Sequence, residues 1–172
     1  MRDHAAKWPP APDWATAKLD RGSISLRTIE GLSQLLVSGD LNAWATASGI
    51  ASESVAGHVI ASGDKYSTRI ARDRVLTVSA TPLAFATGWH DAGFAISRID
   101  AGMHVFQVEG PGLNELLARA MTQPLVSSGP SASLLFAGIN VVLYHFTSMQ
   151  SVRIHVDRAL APYLWEWLEQ SV

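Results

Sequence analysis

Six histidines stand at positions 4, 58, 90, 104, 145 and 155, and no cysteine accompanies them. A zincin-type metal site sets two histidines four residues apart on one helix face, and structural zinc sites usually add thiolates. No histidine pair here has that spacing. His145 and His155 fall in adjacent strand-like runs, NVVLYHF and SVRIHVD, and would meet only across a hairpin. No acidic ligand is specified beside them. Trp89-His90-Asp91 offers a base next to an acid, but neighbours in sequence seldom hydrogen-bond as a catalytic pair. Ser62-Gly63-Asp64-Lys65 matches S-x-x-K, whose Ser and Lys must share a helical turn, and Gly63-Asp64 signals a chain turn instead.

Gly110-Pro111-Gly112 raises a sharper question, because a strand-like run, HVFQVEG, enters it and a helix-like run, LNELLARAM, leaves it. Phosphate-binding loops begin in that way. The dinucleotide fingerprint needs a third glycine, and a P-loop needs Gly-Lys-Ser/Thr; neither is present. Pro111 has no N–H to offer an anion. Glu109 and Glu115 add negative charge beside the corner. The stretch reads as a strand-to-helix turn. The residues thus assign no catalytic, cofactor-binding or metal-ligating position.

The elements around these residues follow from periodicity. SISLRTI (23–29) alternates at period two, and LSQLLVS (32–38) follows after a hairpin-length gap. Asp40 caps a helical LNAWATASG that Gly49 stops. Residues 66–71 and 75–79 bracket Arg72-Asp73 as a second hairpin. TPLAFATGW opens with Thr81 as N-cap and Pro82 as first helical residue. GFAISRI and HVFQVEG, then ASLLFAG, NVVLYHF and SVRIHVD, are further strands, with Arg153, His155 and Asp157 outward and Val152, Ile154 and Val156 inward. RALAPYLWEWLEQ is a closing helix. Its apolar stripe joins Leu160, Tyr163, Leu164, Trp167 and Leu168, with Trp165 off its centre.

The order repeats. VSGDLNAW matches VEGPGLNEL, and RVLTVSATPLAFA matches VRIHVDRALAPYL at a similar offset. The pattern predicts an α+β fold built from a duplicated hairpin-helix-hairpin-helix unit, antiparallel sheets with helices packed on them. The repeats span about 23–91 and 93–172 within one domain, 21–172. Residues 1–20 form an extended arm containing Pro9, Pro10 and Pro12. Trp8 and Trp14 are either incidental in that arm or aromatic anchors for a partner or for the body of the chain. Trp165 is likewise either wedged between sheet and arm or offered to a partner subunit.

Composition sets the outer limits. The chain has 172 residues, 48% hydrophobic and 16% charged, with a net charge of −2. That suits a real core and argues against nucleic acid as a partner. Neither a secretory leader nor a membrane-length apolar run is visible, and the expected location is cytoplasmic. The low charge fraction fits a subunit that lives in a complex.

Three stretches together resemble a known family. They are Arg158-Ala159-Leu160-Ala161-Pro162-Tyr163-Leu164-Trp165-Glu166-Trp167-Leu168, the Val105–Pro111 strand and corner, and the opening Ser25–Leu35 region. In this order they resemble the gamma subunit of bacterial heterotetrameric sarcosine oxidase, a relative of the folate-binding domain of glycine-cleavage aminomethyltransferases. The resemblance implies a folate-binding-domain-like fold with no cofactor of its own. It implies an alpha subunit carrying NAD and tetrahydrofolate, a beta subunit carrying FAD, FMN between those two, and a small zinc-binding delta subunit. Such a complex oxidatively demethylates sarcosine, or another N-methyl amino acid, to glycine. Hydrogen peroxide and either formaldehyde or methylene-tetrahydrofolate are the other products. The gamma subunit would assemble and stabilise it. The alternative is a free-standing folate or one-carbon binding protein related to the aminomethyltransferases.

Overall fold

The computed structural model describes residues 11–50, 60–125 and 131–172. Eleven strands and three α-helices are described. In chain order they are β1 (Lys18–Arg21), β2 (Ile24–Thr28), β3 (Ser33–Gly39), α1 (Leu41–Ser48), β4 (Lys65–Ala71) and β5 (Arg74–Ser79). There follow β6 (Gly88–His90), β7 (Phe94–Arg98), β8 (Met103–Glu109), α2 (Leu113–Ala120), β9 (Ser133–Phe136), β10 (Ile139–Phe146), β11 (Ser148–Asp157) and α3 (Ala161–Ser171). A 3₁₀ turn, Arg158–Leu160, leads into α3.

Two antiparallel sheets result. One runs β1-β2-β8-β11-β10-β9 and the other β4-β5-β3-β7-β6. Helices α2 and α3 lie on the outer face of the six-stranded sheet, where Leu113, Leu116, Leu164 and Leu168 join Phe106, Val152 and Ile154 in one apolar cluster. Helix α1 covers the outer face of the five-stranded sheet through Trp44, which is fully buried among Leu35, Val37 and Phe94. The indole N–H of Trp44 donates to Thr77 Oγ1 at 3.3 Å. A third cluster, with Tyr66, Leu76 and Val78 against Val142, Tyr144 and Phe146, fills the space between the sheets. Each such large apolar side chain contributes about 1.5–3 kcal/mol on burial.

Several expectations change here. The pairs 23–29/32–38 and 93–99/104–110 are not hairpins. β2 pairs with β8, and β3 pairs with β7, so each short connection carries the chain from one sheet to the other. The 66–71/75–79 hairpin does form, as β4 and β5. No helix forms over 81–89. Leu83 N–H instead donates to Ser33 Oγ at 3.3 Å, and Leu83 O accepts from Arg98 Nη2 at 2.7 Å. These bonds satisfy the backbone without a helix, while Phe85 packs edge-on against Trp44. The end of the arm joins the sheet, with Lys18–Arg21 paired to β2. In α3 the buried line is Ala161, Leu164 and Leu168; Leu160 and Tyr163 are exposed. The stripe is rotated because Tyr163 reaches sideways, its hydroxyl donating to Ala137 O at 2.8 Å.

Both strand-to-helix corners are shaped by close chain approach. A Cβ on Gly110 would lie 2.1 Å from Ser23 O, and one on Gly39 would lie 2.5 Å from Gly93 O. Asp40 caps α1 as expected, accepting from Asn42 N and Ala43 N at 2.9 and 3.0 Å.

Candidate functional site

The corner at Gly110-Pro111-Gly112 uses its donors internally. Gly110 N–H donates to Gln150 O at 2.9 Å, Gly112 N–H to Ser23 O at 3.2 Å, and Leu113 N–H to Gly110 O at 3.1 Å. With Pro111 lacking a donor, no cradle of N–H groups faces outward from this turn. Ser62 and Lys65 share no helical turn, since Lys65 opens β4. His90 Nε2 donates to Ala86 O at 2.9 Å and its ring stacks on Phe94, so Asp91 is not its orienter.

His145 and His155 do not face each other. In the β10–β11 register His145 sits opposite Val152 and His155 opposite Val142, which puts the two rings on opposite faces of the sheet. His145 looks toward the helices. Its Nδ1 has no hydrogen-bond partner, and burial lowers its pKa. It borders a cavity of about 410 Å³ at the end of α2, beside Met121, Leu125 and Met149. Among the described residues no group of three or more potential ligands is placed to hold a metal.

The outward face assigned to Arg153 and His155 proves to be covered. The five-stranded sheet closes over it, and His155 is fully buried. There a chain of polar side chains ties the sheets together. Arg153 Nη1 contacts Tyr66 OH at 2.7 Å, Tyr66 OH contacts Tyr144 OH at 2.7 Å, and Tyr144 OH contacts His155 Nε2 at 2.6 Å. His155 Nδ1 contacts Gln34 Oε1 at 2.7 Å. Tyr66 and Gln34 belong to the five-stranded sheet, and the other three to the six-stranded sheet.

The polarity of this chain is set at its arginine end. An arginine only donates, so Tyr66 oxygen accepts from Arg153. The Tyr66 hydroxyl hydrogen then goes to Tyr144, and that of Tyr144 to His155 Nε2. Nε2 is therefore the bare nitrogen. Nδ1 carries the hydrogen and donates to Gln34. The Gln34 carbonyl oxygen at the far end only accepts, which requires the same order. Burial, with a smaller effect from the Arg153 charge, pushes the His155 pKa down to about 3. Burial also raises that of Tyr66, and raises Tyr144 well above the ordinary phenol value. A general base works best with a pKa near the operating pH. All three shifts favour the neutral form, and the chain of hydrogen bonds bolts the two sheets together.

Trp14 and Trp165 meet each other. Their rings pack edge-on at 6.0 Å, and Trp14 also lies 4.5 Å from the His104 ring. The Trp14 carbonyl accepts from the Thr28 hydroxyl, which fixes the arm to β2. Both indoles remain half-buried. Burial and the nearby Arg158 lower the His104 pKa to about 4. Trp8 lies outside the described residues.

Sequence reasoning missed Gln34, Tyr66, Gln107, Tyr144 and the burial of Arg153 and His155. One signal was present. Tyr144, Arg153 and His155 share the polar parity of two neighbouring strands, and large aromatic and basic residues on such a face are suited to a second covering layer.

The architecture is that of a mixed α/β chain with two antiparallel sheets and few helices. No protein-family model matches the chain, and no curated protein matches it either. Among solved structures it is similar to a chain of the heterotetrameric sarcosine oxidase from Corynebacterium sp. U-96, determined in complex with pyrrole 2-carboxylate. The TM-score is 0.67 at 18% identity, covering 86% of this chain and 83% of that one. At that identity the likeness is one of fold. Among the described residues no helix is long and apolar enough to cross a membrane.

Proposed function

We propose that this chain is a gamma-type, non-catalytic subunit of a heterotetrameric sarcosine oxidase-like complex, where it assembles and stabilises its partners. The observation that carries the reading is the fold match, which spans most of both chains and so pairs two chains of similar length. The C-terminal Arg158–Leu168 resemblance points the same way. So does the central hydrogen-bond chain, whose two tyrosines and histidine are buried between the sheets and tie them together.

The same reading takes the fold as a duplicated, folate-binding-domain-like unit. Its support is the matched sheet order. From β1 and from β6 the sheets read β1-β2-β8-β11-β10 and β6-β7-β3-β5-β4, with β3–α1 and β8–α2 at equivalent places. FAD, FMN, NAD, tetrahydrofolate and zinc would reside in the alpha, beta and delta partners, and the substrate would be sarcosine or another N-methyl amino acid.

Affinity-tagged chain recovered from its source cells should bring down a large flavoprotein with flavin absorbance. A chain recovered alone, monomeric and binding folate, would replace this reading with that of a free-standing one-carbon binding protein.

A further inference from the structure

On the inner face of the six-stranded sheet, three side chains lie in one row across β2, β8 and β11. Arg27 is opposite Gln107, and Gln107 is opposite Arg153. Neighbouring strands lie about 4.8 Å apart, so the two arginine Cα atoms are roughly 10 Å apart. Neither arginine forms an ion pair among the described residues. For Arg27 that is ordinary, because it is exposed. For Arg153 it is not. Its guanidinium carbon lies 3.4 Å from the centroid of the Phe146 ring, in a half-buried position where a cation normally meets a carboxylate. Nη1 is engaged by the Tyr66 hydroxyl, and Nε makes a long contact, 3.5 Å, with Gln107 Oε1. Among the described residues Nη2 makes no hydrogen bond.

The neighbouring row is Ser25, Glu109 and Ser151. Glu109 is the acid nearest in register, and it accepts from Gln107 Nε2 at 3.0 Å without pairing to either arginine. Among the described residues of these two rows the balance is thus two positive charges against one negative. A singly charged, planar anion matches that balance and the fork of a guanidinium. A doubly charged phosphate would meet more repulsion from Glu109.

We propose that the row Arg27–Gln107–Arg153 is a carboxylate-binding site. Arg153 supplies the oriented fork, with Phe146 behind it, and Arg27 supplies the outer charge. The carboxylate comes from a small free acid or from an acidic side chain of a partner subunit. The first source needs no partner, so the site stands apart from the assembly reading.

The test has two arms. In the first, the full chain is labelled with ¹⁵N and its arginine Nε–Hε signals are followed while sodium acetate replaces chloride at constant ionic strength. The signals lost in R27A and R153K assign the two arginines. A saturable shift of the Arg153 signal is expected in the wild type; in R153K, which keeps the charge and loses the fork, the Arg27 signal should need roughly tenfold more acetate for its shift. In the second arm, the wild-type chain, R27A and R153K are compared for recovery of the flavoprotein from cells. A several-fold loss in both variants, with their far-UV spectra unchanged, assigns the carboxylate to the partner. The proposal is overturned if acetate moves neither signal and both variants recover as much partner as wild type. It is also overturned if inorganic phosphate saturates the Arg153 signal at lower concentration than acetate. If wild-type chain recovers no partner, the assembly reading fails while the acetate arm still decides the site.

Discussion

The phenol of Tyr144 donates its hydrogen to Nε2 of His155, 2.6 Å away on the adjacent strand, and so fixes that imidazole as the Nδ1–H tautomer. Both ends of the chain agree with this order: Arg153 only donates, three links off, and the Gln34 carbonyl oxygen only accepts from Nδ1. Tyr66→Phe should break the middle link and leave Arg153 Nη1 and the Tyr144 hydroxyl each short of a partner. The expected loss is about 1–3 kcal/mol of unfolding free energy, read by urea denaturation. In the wild type, the ¹⁵N shifts of His155 should show a protonated Nδ1 and a bare Nε2. A protonated Nε2 would refute the assigned polarity.

Acid should weaken the fold earlier than its carboxylates alone would. His155 and His104 have pKa values pushed down to about 3 and about 4 in the folded chain, against 6.5 as the ordinary value. The unfolded chain therefore takes up protons first. Stability is at its full value above about pH 6.5 and falls as the pH drops toward about 4 for His104 and about 3 for His155. The slope is at most about 1.4 kcal/mol per pH unit for each histidine. His104→Phe should make the fall shallower in chemical denaturation at a series of pH values. An unfolding free energy unchanged between pH 7 and 5, on the order of these pKa windows, would contradict the buried, neutral histidines.

At Gly110 the backbone has φ +133°, and an added Cβ would meet the Ser23 carbonyl. Gly110→Ala should cost about 2 kcal/mol or more through clash and strain together. Gly31→Ala, which meets open space, is the control and should cost about 1 kcal/mol. Thermal melts of the pair suffice. Equal losses would mean that the β2–α2 approach can open freely.

Trp165 tests whether the last helix serves inside or outside the chain. Trp165→Ala removes the contacts with Trp14 and Phe106 and should lower stability by about 1–2 kcal/mol, less than for a fully buried indole. If the exposed part of Trp165 also meets a partner, co-purification of the flavoprotein should fall in parallel. Undiminished co-purification would confine this residue to an internal role.

Local structure was largely legible in the sequence. Alternation located β7, β8, β10 and β11, and Asp40 and Gly49 marked the ends of α1, because each of these signals acts within a few residues. What was not legible was where a strand goes next. A four-residue gap after β2 has the length of a hairpin, yet the chain crosses to the other sheet, and only the distant partners β8 and β7 decide that. The same limit hid the site. Arg153 and His155 lie on a polar strand face, and polarity alone does not distinguish water from a second sheet carrying Tyr66 and Gln34. Over 81–89 the local helix signal of Thr81-Pro82 gave way to Ser33 and Arg98, which lie far off in sequence and satisfy Leu83.

The crossing of strands between sheets has a consequence for how the molecule comes to exist. β2 is seated beside β8, while β7 lies between β3 and β6. Neither half of the chain holds all the strands of either sheet, so neither has a complete template on which to condense. The ladders joining Leu26 to Val108 and Leu35 to Arg98 close only after long loops have been brought together. Such topologies form slowly and late. A nascent first half leaving the ribosome would present β3 with one edge unpaired until β7 arrives. Synthesis and folding of this protein are thus coupled through its second half, and a chain cut between the halves should regain structure only when both pieces are present.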